Sequence, residues 1–154
     1  MTKPNAICWD LDGTLADVEH RRQYVRTKPK NWNAWNAGIS ADKPHFPVQM
    51  VYQALTLHPG YSSVNMILVS GREGTYREVT EKWLYDNSFA YHQLHMRKAS
   101  DNRCDSIVKG EIADLISETH NIVMVFDDRP KVLRDCWQKR GIWTFDVGQG
   151  CEDF

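Results

Sequence analysis

The sequence has little of what would set it apart from ordinary globular chains. Its four cysteines, Cys8, Cys104, Cys136 and Cys151, are widely spaced and form no CxxC pair. That argues against a disulfide framework or a zinc site, and they read as reduced, mostly buried thiols. No apolar run approaches the ~20 residues of a membrane span. The N-terminus, Met1-Thr2-Lys3-Pro4-Asn5, lacks the apolar stretch of a signal peptide, so a cytoplasmic location is the expectation. No internal repeat or low-complexity segment stands out. Neither sign of charge dominates, since 19 Lys and Arg against 20 Asp and Glu leave a formal net charge of −1.

A near-zero total does not exclude a nucleic-acid partner, because local distribution matters more. Between positions 21 and 30 lie Arg21, Arg22, Arg26, Lys28 and Lys30 with no acidic residue, and Tyr24, Trp32 and Trp35 are interleaved with or follow them. The run is either a solvated helix face or part of a nucleic-acid footprint. The chain has 154 residues with 42% hydrophobic side chains, which fits one domain over 1–154 whose core needs no staples.

Apolar runs ended by turn signals predict strands at about 5–10, 64–69, 121–126 and 142–147, with a weaker one at 91–96. Helical patterns fall at about 47–59, 74–87, 105–119 and 130–140. Several of the strands lack polar alternation, as expected where both sheet faces are covered. The alternation predicts a three-layer, Rossmann-like α/β fold with a central parallel sheet and right-handed crossovers. Residues 16–46 break the rhythm and read as a small helical, cap-like insertion after strand 1.

In such sheets ligands bind outside the carboxyl ends of the strands. Asp10 and Asp12 follow the first strand, Ser70 the second, and Asp127 and Asp128 the run at 121–126. Four carboxylates meeting at one edge repel one another unless a hard cation neutralises them, and Mg²⁺ is the economical choice. Side chains two apart at a strand end point the same way. Asp10 and Asp12 can thus face one phosphate, one attacking phosphorus and the other protonating the leaving oxygen. Gly13 lets the chain turn without blocking the site. The plainer alternative is an Asp-rich turn that closes a strand.

Asp10-Leu11-Asp12-Gly13-Thr14, Ser70-Gly71-Arg72, Lys109 and Asp127-Asp128-Arg129 resemble the four ordered motifs of the haloacid dehalogenase superfamily. Together with Tyr76-Arg77-x-x-Thr80-x-x-Trp83-Leu84, Met96-Arg97, Asp105-x-x-Val108-Lys109, the Gly148-Gln149-Gly150 turn and the terminal Glu152-Asp153-Phe154, they are similar to the 3′-phosphatase domain of bacteriophage polynucleotide kinase/phosphatase. No Gly-x-x-x-x-Gly-Lys-Ser/Thr occurs, so kinase activity is not implied. The resemblance implies that Asp10 is the covalent nucleophile and Asp12 the general acid and then base. It implies Mg²⁺ on the Asp10 carboxylate, the Asp12 backbone carbonyl and Asp127, with Asp128 either a ligand or a supporting carboxylate. Ser70 would bond a phosphoryl oxygen and Lys109 would neutralise nucleophile and phosphate.

Other residues keep two readings. Arg72 either grips phosphate or pairs with Asp127 or Asp128. Thr14 shapes the turn or touches phosphate. Arg129 stacks on or pairs with the substrate backbone. Arg97, with Lys98 and Arg103, tracks a nucleic-acid backbone or keeps a loop soluble. His20 reads as structural or at the rim, Trp32 and Trp35 as packing the insertion's own small core, and Tyr76, Thr80, Trp83 and Leu84 as core. The expected substrate is a 3′-phosphate end of DNA or RNA, with a nucleotide as the alternative and a non-catalytic binding module as the remote one. No membrane or obligate protein partner is expected.

Overall fold

The computed structural model describes residues 2–150. It begins with β1 (Asn5–Trp9), whose Ala6, Ile7, Cys8 and Trp9 are all buried. Then come β2 (Ala16–Asp17), α1 (Gln23–Arg26), α2 (Trp32–Ala37), β3 (Lys43–Pro44) and α3 (Phe46–Leu57). These are followed by β4 (Asn65–Glu73), α4 (Arg77–Asp86), β5 (Gln93–Arg97), α5 (Asp105–Thr119) and β6 (Asn121–Asp127). The chain continues through α6 (Pro130–Val132), which widens into a π-type turn at Leu133–Trp137 and tightens again at Gln138–Arg140, to β7 (Trp143–Asp146).

Five strands form one parallel sheet in the order β5-β4-β1-β6-β7. The period of two along each strand divides its side chains between two apolar clusters. Ile7 and Trp9 of β1 and Met66 and Leu68 of β4 face one cluster, while Ala6, Cys8, Ile67 and Val69 face the other. The continuous apolar runs of the sequence follow from this two-sided burial. The fold is the expected three-layer α/β arrangement. Among the described residues, no helix is long and apolar enough to cross a membrane.

The sheet register sets the site. Trp9 pairs with Phe126, so Asp10 and Asp127 each stand one residue beyond that pair, and the Asp10 amide still donates to the Phe126 carbonyl at 3.0 Å. The Trp9 and Phe126 rings stack at 4.0 Å and fix the level beneath the carboxylates. The chain leaves β1 for β4 and β5 on one side and later returns to β6 and β7 on the other. The carboxyl end of β1 is therefore the switch point where α/β sheets open a crevice.

Three expectations are corrected. The second strand does not end near residue 69. β4 runs on to Glu73, and the pairing shifts from Ser70↔Met96 to Glu73↔Arg97, so Gly71 and Arg72 are extra residues in a bulge. The 16–46 segment, held at its base by the antiparallel pair β2–β3, does not have a core of its own. Its Val18, Val25 and Trp35 join the main cluster with Leu11, Leu15 and Trp83, while Trp32 is 52% exposed. Nor is the basic run a solvated face throughout, for Arg21 is buried. Cys8 and Cys136 are buried and Cys104 is exposed. Cys151 and the terminal Glu-Asp-Phe lie outside the described residues.

Candidate active site

Asp10 sits at the end of β1, with its carboxylate held from two sides. Lys109 Nζ donates to Oδ1 at 2.7 Å and Thr14 Oγ1 donates to Oδ2 at 3.1 Å. Lys109 comes from α5, has no solvent-accessible surface, and also donates to Asp127 Oδ2 at 2.8 Å. Burial alone would lower the Lys109 ammonium, yet Asp10, Asp127 and Asp105 hold it well above the usual lysine range. Burial pushes the Asp10 carboxyl well above its usual range; Lys109 opposes this, and Asp127 and Asp128 add to it.

Asp127 and Asp128 follow from the end of β6. Asp127 Oδ1 accepts from the Arg129 amide at 3.1 Å, which locks its rotamer. Asp128 is packed against Gly13, whose φ of +88° suits glycine. A Cβ there would stand 2.0 Å from Asp128 Oδ2, so the glycine serves close approach as well as the turn. Burial and the neighbouring Asp127 push the Asp128 carboxyl up to about 6.

The structure tests whether a cation fits. Oxygens of Asp10, Asp127 and Asp128 lie within 4.8 Å of one another, and all three residues are buried. Asp128 Oδ1 is buried with no hydrogen-bond partner, which is costly unless something positive faces it. An all-carboxylate, hard-oxygen set suits Mg²⁺ and offers nothing soft to zinc or copper.

Asp12 looks elsewhere. Its carboxylate meets Arg21 Nη2 at 2.5 Å and Arg72 Nη2 at 2.6 Å, with Arg72 Nε 2.9 Å from its other oxygen. Burial would raise it, but Arg72 and Arg21 outweigh burial and hold the carboxyl well below the usual carboxylate range. The Asp12 carboxylate is thus engaged by two arginines and is not one of the three whose oxygens cluster. Arg72 pairs with neither Asp127 nor Asp128, contrary to one of its two readings. It binds Asp12, Asp42 at 3.3 Å and Thr80 Oγ1 at 3.1 Å. Thr80 is buried as expected, but as the anchor of that guanidinium. Ser70 is also buried, its Oγ accepting from the Arg72 amide at 3.1 Å across the bulge.

Arg97 and Arg129 converge on Asp105, the first residue of α5. Arg97 Nη2 donates to its Oδ1 at 2.9 Å and Nε to the Gly71 carbonyl at 2.9 Å. Asp105 Oδ1 would stand 2.3 Å from a Cβ at Gly71, which explains a glycine in the bulge. Burial opposes ionisation of Asp105, but Lys109, Arg129 and Arg97 hold its carboxyl low. Arg103 binds Asp101 and Glu111. His20 is exposed and bonds Asp42 at 2.8 Å, as its structural reading expects.

Sequence reasoning missed Asp42 and gave no role in the site to Arg21 or to Asp105, which it had only as part of a motif. Arg21 was hidden in the basic run. Asp105 carried a signal, since Asp at i and Lys109 at i+4 share one helix face. Asp42 carried none, because its task is set by two arginines from distant segments. A cavity of about 650 Å³ opens over the site, with Asp10, Asp12, Trp32, Trp35, Arg97 and Arg129 among its walls.

The sequence model of the family described as "Polynucleotide kinase PNKP phosphatase domain" matches residues 4–154. A protein of Autographa californica nuclear polyhedrosis virus, named "Putative bifunctional polynucleotide kinase/RNA ligase", is 28% identical over 155 residues, covering 98% of this chain and 20% of its own. Two structures of a Pnkp1/Rnl/Hen1 complex, one described as an RNA repair complex, match with TM-scores of 0.75 and 0.78. Identity is 30% and 32%, over 94% of this chain and 42% and 45% of theirs. The chain therefore spans a fifth of the viral relative and less than half of those two chains. A haloacid dehalogenase-like hydrolase of Streptococcus pneumoniae, 11% identical with a TM-score of 0.62 over 94% of this chain and 84% of its own, shares the fold.

Proposed function

The chain belongs to the polynucleotide kinase phosphatase-domain family and is a phosphatase of the haloacid dehalogenase type, and from that premise we propose that it removes the 3′-phosphate from nucleic-acid ends through an aspartyl-phosphate. The observation that carries the proposal is the Lys109 ammonium on both Asp10 and Asp127, beside the unpartnered oxygen of Asp128. Asp10, Asp127 and Asp128, with the Asp12 carbonyl, would hold Mg²⁺, which when bound neutralises facing carboxylates and phosphoryl oxygens.

An Asp10 oxygen forms a bond to phosphorus as the bond from phosphorus to the 3′ oxygen breaks. Lys109 opposes the burial that favours the Asp10 acid and steadies the charge on its attacking carboxylate. Asp12, protonated from solvent once substrate has loosened its arginine contacts, gives that proton to the leaving 3′ oxygen, then takes one from the water that attacks the aspartyl-phosphate and releases inorganic phosphate, and returns it to solvent. At rest Asp12 is ionised by Arg21 and Arg72. An entering phosphate competes for those guanidinium hydrogen bonds, and each one it takes lets the Asp12 carboxyl rise toward protonation. Arg72 thus serves phosphate and Asp12 in turn. Ser70 and Thr14 support phosphate and nucleophile, and Arg97 and Arg129 border the path of the chain.

Residues 16–46 act as a small cap on the single domain, a reading supported by the walls that α2 lends to the cavity. The test is phosphate release from a 3′-phosphorylated oligonucleotide against a 3′-mononucleotide, with and without Mg²⁺. The oligonucleotide should be turned over faster, and its advantage should shrink as salt rises, through lost backbone contacts. Equal turnover without a salt effect would instead mark a nucleotidase.

A further inference from the structure

The two tryptophans of α2 lie three residues apart and have different surroundings. Trp35 is 4% exposed, belongs to the main apolar cluster, and has the Arg21 guanidinium 4.1 Å from its ring centroid. Trp32 is 52% exposed, yet it borders the same cavity as Asp10 and Asp12. Burial in the core therefore accounts for Trp35 but not for Trp32.

The surface that carries Trp32 is held in place. Asn31 Oδ1 accepts from the Ala34 amide at 3.0 Å, and the Asn31 amide donates to the Tyr24 carbonyl at 2.7 Å. Three residues on from Trp32, Trp35 anchors the helix in the core. Lys30 Nζ lies 5.5 Å from the Trp32 ring centroid, which puts a cation beside the aromatic face. Arg97, Arg103, Arg129 and Lys131 line the cavity elsewhere. The cavity is much larger than a phosphate group requires. A rigid aromatic face with basic groups around it is the arrangement that takes unstacked bases with little regard to sequence.

We propose that Trp32 is the stacking platform for the base of the 3′-terminal nucleotide, and that it sets the preference for a nucleotide end over a bare phosphomonoester. The proposal rests on the 3′-end phosphatase reading. Trp32 is a specificity residue and has no part in the chemistry at Asp10.

The experiment measures kcat/KM on a 3′-phosphorylated single-stranded oligonucleotide and on the same oligonucleotide with an abasic 3′-terminal residue. It compares the wild type with Trp32→Ala and Trp32→Phe, each checked for folding by its thermal midpoint. The wild-type ratio of normal to abasic substrate should be roughly 5- to 150-fold, the range that base–aromatic stacking supplies. It should fall to near one in Trp32→Ala and be largely kept in Trp32→Phe. A wild-type ratio near one overturns the proposal. So does a Trp32→Ala ratio equal to that of the wild type, even when both rates have dropped, because that marks a merely structural role. A wild type that hydrolyses p-nitrophenyl phosphate but neither oligonucleotide overturns the 3′-end reading itself.

Discussion

Asp42 and Arg21 form a two-point ion pair, Nε to Oδ1 at 2.7 Å and Nη2 to Oδ2 at 2.5 Å, with both side chains almost fully removed from solvent. The same Arg21 Nη2 reaches Asp12 Oδ1, and Asp42 Oδ2 also meets Arg72. The Trp83 indole fixes Asp42 by donating to its carbonyl at 2.8 Å. Asp42 thus orients the two guanidiniums that govern Asp12, without itself lining the cavity.

Asp42→Ala should therefore reduce activity from a distance. Removing one partner of a buried charge network leaves the others uncompensated, at a cost of about 3–5 kcal/mol. The thermal midpoint should fall by several degrees, and kcat/KM on a 3′-phosphorylated oligonucleotide should fall tenfold or more. A variant with wild-type kinetics would show that Arg21 and Arg72 hold Asp12 unaided.

Asp12→Asn should slow turnover by roughly 10²–10⁴-fold, the usual worth of a positioned general acid–base. The loss should be smaller in the first half-reaction with p-nitrophenyl phosphate, whose leaving group needs no proton. Burst kinetics that resolve formation from hydrolysis of the phospho-enzyme would separate the two roles. Equal losses for alkyl and nitrophenyl esters in the first step would remove Asp12 from the acid role.

Asp10→Asn should abolish turnover while keeping the fold. Because burial disfavours the Asp10 charge, exchanging the carboxylate for an amide also relieves repulsion with Asp127 and Asp128. The metal-free variant should melt at or above the wild-type temperature. Residual activity near wild type would exclude the covalent path.

The Asp128 carboxyl gives a pH signature. Its folded value of about 6 stands above the ordinary carboxylate value of ~4. Between those values the folded chain keeps a proton that the unfolded chain releases, so stability falls as pH rises through that window. Metal-free wild type should lose thermal stability relative to Asp128→Asn between pH 4 and about 6. Mg²⁺ should raise the wild-type midpoint more at pH 7 than at pH 5, where protons compete for the same oxygens. Parallel melting curves of the two proteins across that range would overturn the assignment.

Much of this was legible in the chain itself. Two-sided strands announce themselves as unbroken apolar runs, so the sheet and the carboxyl-end positions of Asp10, Asp127 and Asp128 followed from periodicity. α5 was placed at its observed bounds, 105–119. The Ser70–Arg72 bulge was not legible, because a bulge depends on the partner strand β5 and not on local propensity. Nor was the burial of Arg21, which its basic neighbours disguised, or the division between Trp35 in the core and Trp32 at the cavity.

The sequence by itself determined the layered α/β sheet and the carboxylates at its edge, because periodicity and spacing act along one strand or helix. Tertiary structure alone decided how the charges are shared. Lys109 joins Asp10 to Asp127, Arg21 and Arg72 take Asp12, and Arg97 and Arg129 take Asp105. Each of those choices depends on which charges burial forces together, and that is a property of the packed chain.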